Sequence, residues 1–337
     1  MLDARDIRVV SARYFHSRDL AAIMVVDWDV RRGARALIRR SLDKTQVPGE
    51  CMIYVLLPAY NEEDALEPLA EKIEGVMRKL NADYEIVVVN DGSRDRTAEI
   101  LRELSERYPL HVITHRINRG LGETARDGFE YVADAGQRGD VVVRMDCDDT
   151  HDPGYIVPMV AKLRDGCEVV IASRYAPGGD QIGLDWYRRT ISRCANLLMK
   201  TVFPMRDVWE YTSGFRAYRV ALIQDAIDIY GNQFIDLKGM GFTGTVEKLI
   251  KCRQMGARVG EVGFVLRYDQ KRSTSKVVTS LTTLGYLTLI AKYIFPWGDL
   301  GKLWKRRCAD RQRTAYDTNG RPIETIELKR ACAELPA

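Results

Sequence analysis

Val141 to Pro153 reads VVVRMDCDDTHDP. The β-branched residues Val141, Val142 and Val143 read as a buried strand, and Met145 carries its apolar character on. The strand runs out into Asp146, Asp148, Asp149 and Asp152. In an open α/β sheet, ligands bind outside the carboxyl ends of the strands. Asp146 and Asp148, separated by one residue, offer hard oxygen ligands suited to Mg2+ or Mn2+ bridging to phosphates. Alone, such a pair reads more readily as a solvated acidic turn. The rest of the chain shifts that balance.

Working outward, strands and helices alternate on both sides of this stretch. Ile53 to Leu57 is a buried strand, expected to end at Pro58, which has no N–H to give a central strand. Asn61 then reads as a helix N-cap with Glu62, Glu63 and Asp64 in the first turn, and the helix is expected to run to about Leu80. Tyr84 to Val89 is a second strand, followed by the turn NDGSRDRT and a helix through about Tyr108. Leu110 to Thr114 is a third strand, and INRGLGETARDGFEYV is a glycine-containing loop leading into a helix. After the aspartates come a helix, about Tyr155 to Arg164, and a fifth strand, Val169 to Ser173. A period of about 30 residues per strand–helix unit is the pattern of a doubly wound, mostly parallel sheet. From about Tyr187 the pattern becomes mostly helical, and it closes on a strand-like stretch, Val259 to Tyr268.

Composition sets outer limits. The 337 residues suffice for one large domain or two ordinary ones. A net charge of +4 gives no reason to expect nucleic acid as a partner. Local charge says more: Arg31, Arg32, Arg35, Arg39 and Arg40 cluster near the start, and Lys302, Lys305, Arg306, Arg307, Arg311 and Arg313 near the end. Such clusters suit an anionic membrane surface or a polyanionic ligand, and equally an ordinary solvated face. Seven cysteines without C-x-x-C spacing argue for a reducing cytosol and against a disulfide framework or zinc site. The first residues lack an apolar signal-peptide core, so no secretory signal is expected. The uncharged run Val277 to Ala291 is shorter than the ~20 residues that cross a bilayer, so no transmembrane helix is expected. Residues 281–297, LTTLGYLTLIAKYIFPW, read either as a core-packed helix or as one lying in the membrane interface with Trp297 and Trp304 as anchors.

Four motifs now stand in order: PAYNEE (58–63), VNDGSRDRT (89–97), NRGLG (118–122) and DCDDTHDP (146–153). In order and spacing they resemble the inverting GT-A glycosyltransferases of glycosyltransferase family 2. The members most similar are the dolichol-phosphate and polyprenol-phosphate mannosyltransferases, through ASRYAPGGD (172–180), WYRRTISRCANLL (186–198), TSGFRAY (212–218) and VEKLIKCRQMGARVGEV (246–262). The resemblance covers roughly residues 52–277. It implies an α/β fold, a GT-A (Rossmann-like) mostly parallel sheet flanked by helices, with N-terminal and C-terminal helical extensions. The domains expected are a basic extension over 1–50, the transferase domain over 51–277, and an amphipathic helix with a basic tail over 278–337.

The same resemblance implies a site. Pro58, Tyr60, Glu62, Asp91, Gly120, Asp146 and Arg174 would bind the nucleotide-sugar. Glycines before a helix also let a phosphate approach backbone N–H groups. Asp146 and Asp148 would hold the metal, and Asp148, Glu247 and Arg216 would serve the reaction. Arg189, Arg193, Ser213, Arg267 and Lys276 would bind an acceptor phosphate, for which arginine's planar fork is well shaped. Two departures from the family pattern stand out. Thr150 replaces a glutamine that supports the metal site, and the segment from Arg267 to Ser275 is longer, so Lys271 or Arg272 can take the place of Lys276. His151 reads as a diphosphate contact or as a structural ring.

The expected function is transfer of a hexose, with GDP-mannose the favoured donor, to a polyprenyl phosphate at the cytoplasmic membrane face, by an enzyme that is cytoplasmic and peripheral. A phosphate acceptor is already an oxyanion and needs no strong protein base. A hydroxyl acceptor on a soluble metabolite or polysaccharide would need one, with Asp207, Glu210 and Glu247 as candidates. A non-catalytic nucleotide-sugar-binding protein is the remaining alternative. A dinucleotide-dependent oxidoreductase is disfavoured, because PAYNEE stands where G-x-G-x-x-G would follow the first strand.

Overall fold

The computed structural model describes residues 51–271, 279–294 and 311–328. The arginine cluster before residue 50, the tryptophans Trp297 and Trp304, and Arg272 and Lys276 fall outside them. The first strands follow the apolar runs: β1 (Ile53–Ala59), β2 (Tyr84–Asn90), β3 (Leu110–Thr114), β4 (Val141–Arg144) and β5 (Val169–Ser173). Between them lie α1 (Leu66–Leu80), α2 (Thr97–Arg107), α3 (Leu121–Ala135) and α4 (Ile156–Arg164). Then come β6 (Asp180–Ile182), α5 (Trp186–Val202), β7 (Arg216–Arg219), α6 (Val220–Tyr230) and α7 (Thr243–Gln254). The chain continues through β8 (Val259–Gly263), β9 (Val265–Arg267), α8 (Thr279–Ile294), β10 (Gln312–Tyr316) and β11 (Pro322–Glu327).

Seven strands form one sheet in the order β3-β2-β1-β4-β7-β5-β8. All neighbours are parallel except β7, which runs antiparallel to both β4 and β5. The expected mostly parallel α/β sheet is therefore present. From β1 the chain goes to β2 and β3 on one side and returns to β4 on the other, so the order reverses between β1 and β4. The carboxyl ends at such a switch point frame a crevice. The sheet is buried on both faces. Val55, Leu57 and Val143 pack with α1, α2 and α4, while Leu56, Val142 and Tyr218 pack with α3, α6 and α7. Burying each such side chain is worth about 1.5–3 kcal/mol, which fixes the register of the central strands.

Four details differ from the sequence reading, each for a physical reason. Strand β1 continues through Pro58 to Ala59. Even-numbered residues of β1 bond toward β4, as Leu56 does by accepting from Met145 N. The pairing with β4 ends at Leu56, so the N–H missing at Pro58 falls where no partner strand remains. The following helix starts at Leu66, because Asn61 takes φ +52° and ties two loops together instead of capping. Its backbone N–H donates to Ser93 Oγ (3.0 Å), and its Oδ1 accepts from Arg94 N (2.8 Å). The strand expected over 259–268 breaks at the buried Phe264, and β9 leaves the main sheet to pair with β6. Finally, the C-terminal region holds an antiparallel hairpin, β10–β11, where only a helix and a basic tail were expected. Arg313 of the basic cluster turns inward. Its guanidinium makes a bidentate pair with Glu168 (2.6 and 2.7 Å) and also donates to Met255 O.

Candidate active site

The motifs of the first half meet at the crevice edge of β1, β2 and β4. Asp91, just beyond β2, is buried and fully engaged. Its Oδ1 accepts from Arg119 N (2.8 Å) and its Oδ2 from Gly120 N (2.9 Å). His115 Nδ1 lies 2.7 Å from the same carboxylate, and the ring's Nε2 lies 2.9 Å from Asp127 Oδ2. Asp91 thus shapes the glycine loop before α3. Gly120 has φ +88°, a conformation glycine adopts at little cost. Glu62 N donates to Thr97 Oγ1 (2.9 Å), joining the PAYNEE loop to the start of α2. Pro58 and Tyr60 are half-buried at the carboxyl end of β1.

Asp146 and Asp148 leave β4 at the switch point. The side chain of Asp146 is 27% exposed, and its Oδ1 lies 2.8 Å from Arg144 Nη2. Asp148 Oδ1 accepts from the Thr150 hydroxyl (2.6 Å), and its Oδ2 is ion-paired with Lys271 Nζ. Burial works against the Asp148 charge, but the Lys271 ammonium and the Thr150 hydroxyl outweigh it and hold the carboxyl below its ordinary value. Lys271 is correspondingly raised, against its own burial, by Asp148 first and with support from Glu62. Thr150, where the family pattern has a glutamine, is thus tied to Asp148 through its hydroxyl.

His151 is structural. Its Nδ1 accepts from Asp146 N (3.0 Å), and its ring stacks on Phe215 at 5.0 Å. Burial pushes it below the usual histidine range, which favours the neutral ring that can accept this bond. Two further ties hold the loop. Asp149, at φ +63°, pairs with Lys72 of α1 (2.6 Å), and Arg267 N donates to Thr150 O (3.2 Å). The donor set, two hard carboxylates at the crevice, fits a divalent cation. Each already has a cation beside it, Arg144 at Asp146 and Lys271 at Asp148. Among the described residues no cluster of three His, Cys, Asp or Glu side chains forms a ready cage.

The second-half residues are more deeply committed than the sequence suggests. Arg174 makes a bidentate pair with Glu210 (2.8 and 2.9 Å) and also donates to Ser192 Oγ and Thr212 Oγ1. Burial opposes both charges, and their attraction outweighs it, lowering the Glu210 carboxyl and raising the Arg174 guanidinium. Ser213 N donates to the same Glu210 (3.0 Å). Arg216, expected to serve the reaction, is 0% exposed and donates to two carbonyls, Thr245 O and Tyr211 O. Glu247 is also 0% exposed. Its Oε2 accepts from Asp236 N and Leu237 N (2.9 Å each), and its Oε1 accepts from Lys251 Nζ (2.9 Å) and the Tyr293 hydroxyl. Both residues act here as internal braces, and their partners lie outside the 146–148 loop. Arg189 reaches Gln181 O (2.9 Å), Arg193 is exposed on α5, and Arg267 pairs with Asp269 (2.8 Å).

Among residues the sequence reading passed over, Arg144 touches Asp146 directly. Its signal was visible, a charged residue at the end of an otherwise apolar strand. His115 and Asp127 carried no comparable signal, since only the fold brings them to Asp91.

The sequence pattern of the family described as Glycosyl transferase family 2 matches residues 54–227, more than half of the chain. The chain belongs to glycosyl transferase family 2. Among curated relatives it is 33% identical over 254 residues to a dolichol-phosphate mannosyltransferase of Pyrococcus furiosus, covering 75% of this chain and 66% of that protein. It is 30% identical over 239 residues to an undecaprenyl-phosphate 4-deoxy-4-formamido-L-arabinose transferase of Edwardsiella ictaluri, covering 68% of each. The chain thus spans about two thirds of the length of these relatives. A solved structure of glucosyl-3-phosphoglycerate synthase from Mycobacterium tuberculosis, with Mg2+ and uridine diphosphate, aligns at TM-score 0.49 and 20% identity over 71% of this chain and 79% of that one. As a family 2 glycosyltransferase, the protein carries α7, β8, β9, Lys271, α8 and the hairpin beyond the matched segment.

Proposed function

We propose that this family 2 glycosyltransferase moves a hexose from a nucleotide-sugar to a polyprenyl phosphate, with inversion at the anomeric carbon. One observation carries the reading. Glu210 and Glu247, two of the carboxylates that could activate a hydroxyl acceptor, are fully buried and held in ion pairs. The third, Asp207, lies exposed at φ +64°. An acceptor phosphate needs no such base. Its oxygen attacks the anomeric carbon from the face opposite the diphosphate, forming the new C–O bond as the bond to the diphosphate breaks.

In this reading Pro58, Tyr60, Glu62, Asp91 and Gly120 form the nucleotide wall, with Asp91 acting through the loop it holds. Asp146 and Asp148 would hold Mg2+ or Mn2+, which would supply positive charge for the diphosphate. Lys271, freed from Asp148, and Arg189, Arg193 and Arg267 supply cations for the acceptor phosphate. Arg174 and Ser213 position that wall through Glu210, and Arg216 and Glu247 brace it. Lys276 remains a candidate outside the described residues.

The lipid would lie against α5 and α8, which touch each other. Their exposed side chains include Trp186 (78%), Leu197 (65%), Leu284 (54%) and Leu287 (54%). No helix among the described residues is long and apolar enough to cross a membrane. The contact proposed for these two helices is peripheral, at the cytoplasmic face. GDP-mannose is the favoured donor, supported by the similarity to a dolichol-phosphate mannosyltransferase. The test is a panel of radiolabelled nucleotide-sugars with Mn2+, with and without polyprenyl phosphate in detergent. Label entering the organic phase from GDP-mannose, and lost in Asp148→Ala, supports the proposal. A water-soluble product formed without lipid overturns it.

A further inference from the structure

Behind the aspartates, between the first turns of α3 and α7, three cations are buried together. Arg144 is 2% exposed, Arg216 0% and Lys248 3%. Arg144 and Arg216 are direct neighbours across the β4–β7 pairing. Arg144 and Lys248 line a small, partly open cleft, together with Leu121, Gly122, Gly244 and Thr245. The first turns of both helices face this cleft, and helix N-termini favour anions.

The cations are short of counter-charge. Arg144 Nη2 lies 2.8 Å from Asp146 Oδ1 but off the angle of a hydrogen bond, and neither its Nη1 nor its Nη2 has a hydrogen-bond partner. Lys248 Nζ lies 4.5 Å from the centre of the Phe129 ring and, among the described residues, has no carboxylate or hydrogen-bond partner. Glu247, next in sequence, is spent on Lys251. Burial, followed by Arg144 and Arg216, pushes the Lys248 ammonium well below its ordinary value. Arg144 has one carboxylate beside it and Lys248 none, and buried cations side by side are unfavourable while their charge is unmatched. Glycines let the chain pack closely around these side chains. A Cβ on Gly214 would fall 1.8 Å from Arg144 Nη1, and one on Gly122 would fall 2.4 Å from the Lys238 backbone.

We propose that this cleft binds a compact oxyanion, a carboxylate or a phosphate, held by Arg144 and Lys248 with Arg216 adding charge behind them. Through the Arg144–Asp146 contact, an anion bound there would be felt at the metal-binding loop. A carboxylate carried on the donor sugar and free phosphate share this chemistry, and the experiment separates them. The phosphate arm is read by binding alone, and the sugar-carboxylate arm rests on the nucleotide-sugar reading above.

The test uses the full chain, thermal unfolding at constant ionic strength, and inorganic phosphate as probe. Wild type should gain several degrees with phosphate, saturably. Lys248→Met should unfold a few degrees higher than wild type without phosphate, because a buried charge has gone, and should lose the phosphate shift. Arg102→Gln, at an exposed arginine of α2, should keep it. Replacing phosphate with UDP-glucuronate and with UDP-glucose then names the source. A larger shift with UDP-glucuronate, absent in Lys248→Met, assigns the site to a sugar carboxylate. Equal shifts from the two nucleotide-sugars, with the phosphate effect intact, assign it to free phosphate. A phosphate shift kept in Lys248→Met or lost in Arg102→Gln overturns the proposal. Should Lys248→Met not fold, equilibrium dialysis of radiolabelled phosphate against wild type and Arg144→Gln replaces it. Equal binding by the two proteins, or none to wild type, overturns the proposal.

Discussion

Lys271 Nζ is ion-paired with Asp148 Oδ2 across 123 residues of chain, so a loop that follows β9 closes onto the aspartates that follow β4. The contact places an internal cation where a divalent metal would bind, and it must open before the metal can use that oxygen. Replacing Lys271 with Met should therefore tighten Mn2+ binding to the donor-free protein by about tenfold, which is about 1.4 kcal/mol. The same change should slow transfer, because the freed ammonium is proposed to meet the acceptor phosphate. A Mn2+ titration followed by EPR, beside steady-state turnover, checks both. Unchanged or weaker Mn2+ binding would show that the pair does not compete with the metal.

His151 acts through the backbone of Asp146. Removing its acceptor nitrogen in His151→Phe should leave the fold intact, since the ring is already stacked among Phe215 and Phe264. Metal affinity and turnover should both fall, by about 10–100-fold for a lost supporting bond. His151→Asn, which keeps an acceptor, should recover part of the loss. Equal effects from the two variants would point to packing alone.

The Glu210–Arg174 pair predicts an acid limb. The folded Glu210 carboxyl lies below its ordinary 4.5, so its contribution to stability is full above that value. As pH falls through the lower folded value, the unfolded chain has already taken up its proton and the contribution is lost. Glu210→Gln leaves Arg174 buried without its counter-charge, at a cost of about 3–5 kcal/mol at pH 7. The cost should shrink toward the acid end. Urea melts of both proteins at pH 7 and near pH 3 measure this, and a difference that does not change with pH would exclude the assignment.

The exposed apolar side chains of α5 and α8 predict a membrane face. Trp186→Glu, Leu197→Glu and Leu287→Glu should each change stability by about 0.5 kcal/mol or less, as surface substitutions do. Together they should abolish flotation with vesicles containing anionic lipid. Flotation retained by the triple variant would move the lipid contact elsewhere.

The parallel part of the sheet was legible because each strand is an apolar run ended by turn residues, from Ile53–Leu57 to Val169–Ser173. Strand β7 was not, because RAYR shows no apolar run. Its arginines are buried because other elements accept from them, Thr245 O of α7 from Arg216 and Leu163 O of α4 from Arg219. The hairpin was readable and missed: Asp317, Thr318, Asn319 and Gly320 form a turn signal between two alternating segments. The motifs pointed to Asp91, Asp146 and Asp148 at the crevice edge but not to the atoms these side chains meet. Arg216 and Glu247 fall in matched motifs, yet their partners come from segments far away in sequence. Asp91 shows the same limit, since its hold on Arg119 N and Gly120 N needs the β2–α3 geometry.

The central claim is that the acceptor brings its own oxyanion, so that no buried carboxylate need act as base. The direct measurement compares polyprenyl phosphate with the matching polyprenol as acceptors, using the donor that gives turnover, Mn2+ and detergent. The account predicts label in the lipid phase with the phosphate and none above the Asp148→Ala background with the alcohol. Comparable labelling of the alcohol would contradict it.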